Sequence, residues 1–415
     1  MIGIKNIYIN NKLLFSNFTY LWILQFVRII MPLILIPILI NSIGLDRYGM
    51  IILSQTIVAY LMMIINFGFE MSATKQISIH RNNLDKISEI VSAVLFIQLL
   101  LLLIIGFVYF FLLNFIFFSS PYFLLFCLSF LFVLQELFLP IWYFQGLEKM
   151  KFITIIDVIS RFVSFVFIIL FVNSAEDYLL VPIFRFIGLI VAALISIYII
   201  FIQDKIKLKY TKLKKIYFYL KESSFFFVSK FSNIINERTN LLLLGLFVGM
   251  SSVAFYDFAN KVISAINLIF GTLVKVLYPH IARSKDKLKV KKILYFSIII
   301  SVIGYLFLCI FSKTITLIIL GEEFLSMYYL FYYFGAIIPL VSIGWIMGDL
   351  LLAAFGYSKD YTLSSIIGTI FYLFIVSNLF IFNLITLDSL IITLIGRLVL
   401  LDLFRFYFCR KYNLI

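Results

Sequence analysis

The chain has 415 residues, 64% of them hydrophobic and 13% charged, with a net charge of +14. A soluble domain carries about 25% charged residues, so the composition excludes a soluble fold and defines an integral membrane protein. The positive balance then belongs to cytoplasmic loops rather than to a nucleic-acid surface. Cys127, Cys309 and Cys409 lie in or beside apolar segments, and His80 and His280 are far apart, so neither a disulfide framework nor a metal or cofactor site is expected.

The polar N-terminus runs through about Asn17 directly into a full-length span without a small-residue cleavage site, and it reads as retained. Hydropathy places spans at roughly 18–42, 47–71, 91–114, 121–144, 153–173 and 178–202. After a polar break they resume at roughly 224–247, 252–278, 293–312, 324–353, 362–383 and 386–408, which makes twelve.

Alternate connections are basic: Lys5 and Lys12; Lys75, Arg81 and Lys86; Lys149 and Lys151; the run from Lys205 to Lys221; Arg283 to Lys292; Lys359; and Arg405, Arg410 and Lys411. The intervening loops hold only Arg47 and Lys313 as bases, alongside Asp46, Glu176, Asp177, Glu322, Glu323 and Asp388. The positive-inside rule therefore puts both termini and the central loop in the cytoplasm.

The segment from Asp204 to Glu222 contains seven lysines and divides the chain almost in half. It reads as a linker whose lysines lie near anionic lipid headgroups. The halves resemble each other: Gly44–Gly49 aligns with Gly249–Ala254, and Gln145–Lys149 aligns with Phe355–Lys359, pairing Gly146 with Gly356. The expected fold is all-α, with two six-helix bundles related as parallel repeats around a central cavity. The bundles are residues 1–203 and 224–415, joined by the linker at 204–223.

Two neighbouring spans carry polar stripes that lipid would not tolerate. Lys230, Asn233, Glu237 and Asn240 recur at helical spacing on the first, and Asp257, Asn260, Lys261, Ser264, Asn267, Gly271 and Lys275 on the second. A charge at mid-helix costs about 2.5–3.5 kcal/mol on insertion scales, so these faces are expected to line a hydrated interior.

The other bases within spans are Arg28, Arg161, Arg185, Arg238 and Arg397, with Glu136, Asp157, Asp349 and Asp402 as further acids. Asp157 with Arg161 and Asp257 with Lys261 are i, i+4 pairs that can neutralise each other. Arg28, Arg185 and Arg397 have no acid within a turn of their own helix, and together with Lys261 they would suit an anionic substrate. Trp22, Trp142 and Trp345 are either sugar-stacking candidates or interface anchors.

Gly44–Gly49 opening span two, Trp142–Gly146 with Glu148 and Lys149 closing span four, and Pro279 with Arg283 closing span eight resemble a known family. These features, with the topology, are similar to O-antigen flippases of the Wzx type, in the polysaccharide-transporter branch of the multidrug/oligosaccharidyl-lipid/polysaccharide exporter superfamily. The resemblance covers essentially the whole chain.

It implies a non-enzymatic flippase of the bacterial inner membrane that moves an undecaprenyl-pyrophosphate-linked oligosaccharide between leaflets. It also implies a polysaccharide polymerase and a chain-length regulator as partners, besides membrane lipid. It places Arg28, Arg238 and Lys261 on the spans that line the cavity; the lone arginines and the polar stripes add Arg185, Arg397, Asn233 and Asn260, with Glu237 and Asp257 as candidate acids for ion coupling. Arg238 sits off the polar stripe of its helix.

A drug or cation exporter of the same superfamily would need an acid-dominated cavity, whereas bases are at least as numerous here. A polymerase or ligase would need a large periplasmic loop, and every outer loop here is about a dozen residues or shorter.

Overall fold

The computed structural model describes the backbone of residues 2–415; the side chains of residues 2–18, 117, 229, 232, 233, 279, 323, 324 and 326 lie outside the described set. Among the described residues there is no strand. The helices are α1 (Ile2–Ile43), α2 (Leu45–Asn66), α3 (Phe69–Ile79), α4 (Leu84–Phe117), α5 (Phe123–Phe130), α6 (Gln135–Phe138), α7 (Ile141–Gly146), α8 (Met150–Phe171) and α9 (Leu180–Ile197). They continue with α10 (Leu213–Phe247), α11 (Met250–Ser284), α12 (Lys287–Leu320), α13 (Leu330–Gly335), α14 (Ile337–Trp345), α15 (Ser358–Ile381) and α16 (Leu387–Lys411).

Among the described residues, ten helical stretches are long and apolar enough to cross a bilayer. The other two expected spans are α10 and α16. Both carry charges within the expected span: Lys230, Glu237 and Arg238 on α10, and Arg397, Asp402 and Arg405 on α16.

Several spans that hydropathy reads as continuous are interrupted. Span two breaks between α2 and α3. Span four breaks at Leu139–Pro140, where proline supplies no N–H and crowds the preceding turn. Span ten passes from α14 into a π-helical turn at Ile346–Ala353, a widening that recurs at functional positions.

The chain forms two compact units: Met1–Met31 with Ser42–Leu242, and Pro32–Asn41 with Leu243–Ile415. The first buries Ile77, Ile90, Val94, Trp142, Tyr143, Phe144 and Ile153 in one cluster. The second buries Ile281, Val290, Ile346, Leu350, Leu351 and Cys409 in another.

Residues 204–222 are bonded to the first unit. Asp204 accepts from the Tyr143 hydroxyl (2.7 Å) and from Lys149 Nζ (2.5 Å), and Glu222 accepts from Lys75 (3.1 Å) and Gln76 (2.7 Å).

Local geometry repeats between the units. Gly44 and Gly249 both precede a helix with positive φ (82° and 142°). The C-terminal ends of spans four and ten close with the same turn: Lys149 N donates to Phe144 O and Tyr357 N to Leu352 O, each at 2.8 Å. Each turn places a left-handed residue just before the donor, Glu148 (φ 58°) and Gly356 (φ 99°). The equivalent of Gly356 is therefore Glu148 and not Gly146. Gly146 serves a different purpose: a Cβ there would lie 2.7 Å from Ile77, so the glycine lets α7 pack on α3.

A Cβ at Gly356 would meet nothing within 4 Å, so Gly356→Ala carries only left-handed strain, about 1 kcal/mol. A Cβ at Gly68 (φ 78°) would lie 2.7 Å from the backbone of Phe227 and of Ser223. Gly68→Ala is therefore expected to lower the unfolding temperature in detergent clearly more than Gly356→Ala; equal losses would contradict the packing of α10 on this break.

Candidate functional site

The break in span two organises the polar interior of the first unit. Phe67 (φ 44°) and Gly68 (φ 78°) are consecutive left-handed residues, and the Phe67 ring stacks on Phe227 of α10 at 4.8 Å. Gly68, lacking a Cβ, lets the α10 backbone come down onto the break, and Ser72 bonds Ser223 at 2.6 Å beside it. A broken helix has a partly negative end, here α2, and a partly positive one, here α3.

The side chains match those ends. Asn66 is the last residue of α2, Glu70 lies in the first turn of α3, and Lys230 of α10 joins them. Lys230 Nζ donates to Asn66 Oδ1 at 3.2 Å and forms an ion pair with Glu70. Asn66 Nδ2 donates in turn to Glu136 Oε2 at 2.7 Å. The result is a continuous row, Glu136–Asn66–Lys230–Glu70. On the same side of α2, Tyr60 bonds Thr239 at 3.0 Å, and the charge of Arg238 acts on that hydroxyl.

Arg28 is not a lone cation. Its Nε and Nη2 donate to Asp157 Oδ2 (3.1 Å) and Oδ1 (3.3 Å), from α1 to α8. Arg161, one turn along α8, donates to the same carboxylate at 2.7 and 3.5 Å. Two guanidiniums thus share one buried acid, leaving a local charge of +1. Thr154 donates to the Tyr20 carbonyl at 2.8 Å and ties α8 to α1 next to the triad. A narrow recess lined by Gln135, Leu139, Ile141 and Phe144 reaches Arg28 and Asp157.

The other expected site residues lie as follows. Arg185 on α9 and Arg238 on α10 are half-buried, Glu237 is exposed, and the side chain of Asn233 lies outside the described residues. In the second unit Asp257 is buried and holds Lys261 at 2.5 Å, as the i, i+4 spacing implies. Asn260 and Arg397 are half-buried, and the Arg397 stem lies 3.7 Å from where Gly368 would carry a Cβ. Trp142 is 2% exposed and packs in the first unit's core, which removes it as a sugar-stacking residue.

Arg405 departs most from the sequence reading, which grouped it with the cytoplasmic bases Arg410 and Lys411. It is 5% exposed. Its guanidinium donates to the Gly344 carbonyl (2.6 Å), Ser364 Oγ (3.4 Å) and Ser365 Oγ (3.3 Å), and lies 4.8 Å over the Tyr361 ring. Gly344 and Gly348 provide the space: a Cβ on Gly348 would lie 2.8 Å from the guanidinium carbon, and one on Gly344 2.7 Å from Asp402 Oδ1. The signal that could have revealed it is this i, i+4 glycine pair in an apolar span, opposite an Asp402–Arg405 pair one turn apart.

Helices of membrane-crossing length define a multi-pass membrane protein. The fold is that of the multidrug exporters. The chain matches a multidrug-resistance MATE family transporter of the MOP superfamily in its inward-facing conformation with a TM-score of 0.73, at 12% identity, covering 92% of this chain and 95% of that one. It matches an outward-facing MATE structure with a TM-score of 0.62, also at 12% identity, covering 97% and 95%.

The chain belongs to the family described as polysaccharide biosynthesis protein, which matches residues 14–285. It is 26% identical to a "Putative O-antigen transporter" of Escherichia coli (strain K12) over 68% of this chain and 69% of that one. It is 27% identical to a protein of the same description from Shigella dysenteriae, over 86% and 91%. The chain thus groups with transporters rather than with enzymes.

The row through Lys230 gives a direct test. Lys230→Met leaves Glu70 without its cation, and Lys230→Met with Glu70→Gln removes both charges. The double variant is expected to unfold at a higher temperature than Lys230→Met alone, with a coupling energy of about 1 kcal/mol or more in a double-mutant cycle. Additive losses would mean that the pair contributes nothing.

Proposed function

We propose that this protein is a flippase that carries an undecaprenyl-pyrophosphate-linked oligosaccharide repeat unit from the cytoplasmic to the periplasmic leaflet by alternating access. In this reading it sits in the bacterial inner membrane with both termini in the cytoplasm. The observation that carries the proposal is the triad of Arg28, Asp157 and Arg161.

An acid balanced by one base is neutral and gives an anion no reason to approach. An acid shared by two bases keeps a positive charge in a low-dielectric setting, where attraction for a pyrophosphate is strong. Arginine adds geometry, because its fork donates to two oxygens at once. Membership of a polysaccharide biosynthesis family and the descriptions of the two bacterial relatives support the substrate class. Arg185, Arg238, Lys261, Arg397, Asn233 and Asn260 are the further substrate-binding residues in this reading, with Glu237 and Asp257 as the acids that couple an ion gradient.

Deletion of the gene followed by analysis of lipid-linked repeat units in inner-membrane vesicles tests the function. Completed single units trapped on the cytoplasmic face are expected. Single units that reach the outer leaflet without being polymerised would identify a polymerase and overturn the proposal.

At the residue level, Arg28→Lys keeps the charge and loses the fork. Translocation is expected to fall about tenfold at unchanged protein abundance, the loss of one charge-assisted hydrogen-bond contact. Unchanged translocation would remove Arg28 from the binding role.

A further inference from the structure

We propose that residues 205–221 form a docking surface for anionic phospholipid headgroups of the inner leaflet, one that tethers the first unit to charged lipid whatever the protein transports. Four observations lead there, beginning with the charges. Of the seven lysines, Lys209 pairs with Asp85 at 2.5 Å and Lys215 pairs with Glu89. Lys205, Lys207, Lys212, Lys214 and Lys221 are exposed and form no salt bridge among the described residues. The segment's positive charge is therefore divided between two lysines that fasten it to α4 and five that face outward.

The second observation is what stands among those lysines. Tyr210 is 92% exposed, and Leu208, Leu213, Tyr217 and Phe218 are exposed as well. Meanwhile Ile206, Thr211, Ile216 and Tyr219 point inward and are buried. Exposed lysines mixed with exposed aromatic and aliphatic side chains are the composition of a segment lying in a membrane interface, where rings sit at headgroup level and ammonium groups meet phosphates. A loop bathed in water gains nothing from presenting such rings.

The third observation is depth. The backbone N–H groups of Lys207 and Lys209 donate to the hydroxyls of Ser88 (3.2 Å) and Ser92 (2.8 Å) on α4. From Ile90 to Phe117 that helix carries no charged residue. A bilayer core about 30 Å thick takes about 20 helical residues. The segment is thus pinned where the uncharged stretch begins, at the headgroup layer rather than out in the cytosol.

The fourth is fixation. The Asp204 and Glu222 bonds hold the segment at both ends, so its outward face is preformed and little ordering entropy is lost when lipid binds. An acidic protein partner would be met by the lysines equally well. It would not account for the aromatic side chains or for the depth.

The test uses the full-length protein in lipid nanodiscs, with Tyr210→Trp as reporter read against the three native tryptophans. Brominated phosphatidylglycerol is expected to quench the added fluorescence about twofold more than brominated phosphatidylcholine at the same mole fraction, since lysines near the surface attract anionic headgroups. Replacing Lys205, Lys207, Lys212, Lys214 and Lys221 together by Gln is expected to abolish that preference. It should leave the unfolding temperature unchanged, because Lys209 and Lys215 still fasten the segment. A reporter that iodide reaches from water and that ignores lipid bromine in every disc would overturn the proposal; an acidic protein partner predicts that pattern. Phosphatidylglycerol preference that survives the five substitutions would overturn it as well.

Discussion

The first unit depends on how a carboxylate can be kept inside a chain made of apolar helices. Asp157 lies on α8 in an apolar span and is 8% exposed. It is held by one guanidinium from its own helix and one from α1. Replacing a buried ion pair by apolar residues often costs nothing, so such groups add little to net stability. Their value lies in specificity. The Asp157 carboxylate fixes the register of α1 against α8, and the Lys230 row does the same for α2, α3 and α10.

Both devices place charge at discontinuities or crossings instead of along smooth helix faces. Lys230 lies beside the break at Phe67–Gly68, where the end of α2 attracts a cation and the start of α3 attracts Glu70. In the second unit, Arg405 lies against Gly344 and Gly348, at the entry to the π-helical turn. Within lipid, helix association draws on close packing and hydrogen bonds rather than on hydrophobic burial, and glycine supplies the close approach in each case.

The helical class and the spans were legible in the sequence because apolar run length and loop charge are properties of short windows. The pairs Asp157–Arg161 and Asp257–Lys261 were legible because helical geometry alone brings i and i+4 together. Arg28–Asp157 and Lys230–Glu70 were not, since no local pattern shows which distant helix supplies a partner. The break in span two was hidden in Phe67-Gly68-Phe69, which hydropathy reads as unbroken. The repeat was visible, but aligning glycine with glycine misplaced one turn, because Glu148 adopts the left-handed conformation that Gly356 adopts in the other half. Arg405 was misread because two exposed bases follow it closely, and only the opposed glycines separate a buried guanidinium from an exposed one.

The bonds from Tyr143 and Lys149 to Asp204 also bear on biogenesis. They close a ring around the hairpin of α8 and α9, joining the end of span four to the residue that follows span six. During synthesis that ring can close only when Asp204 has left the ribosome, before α11 and every later helix exist. A truncation just before Asp204 leaves a buried tyrosine hydroxyl and a lysine without their acceptor, whereas one just after it leaves the seam complete.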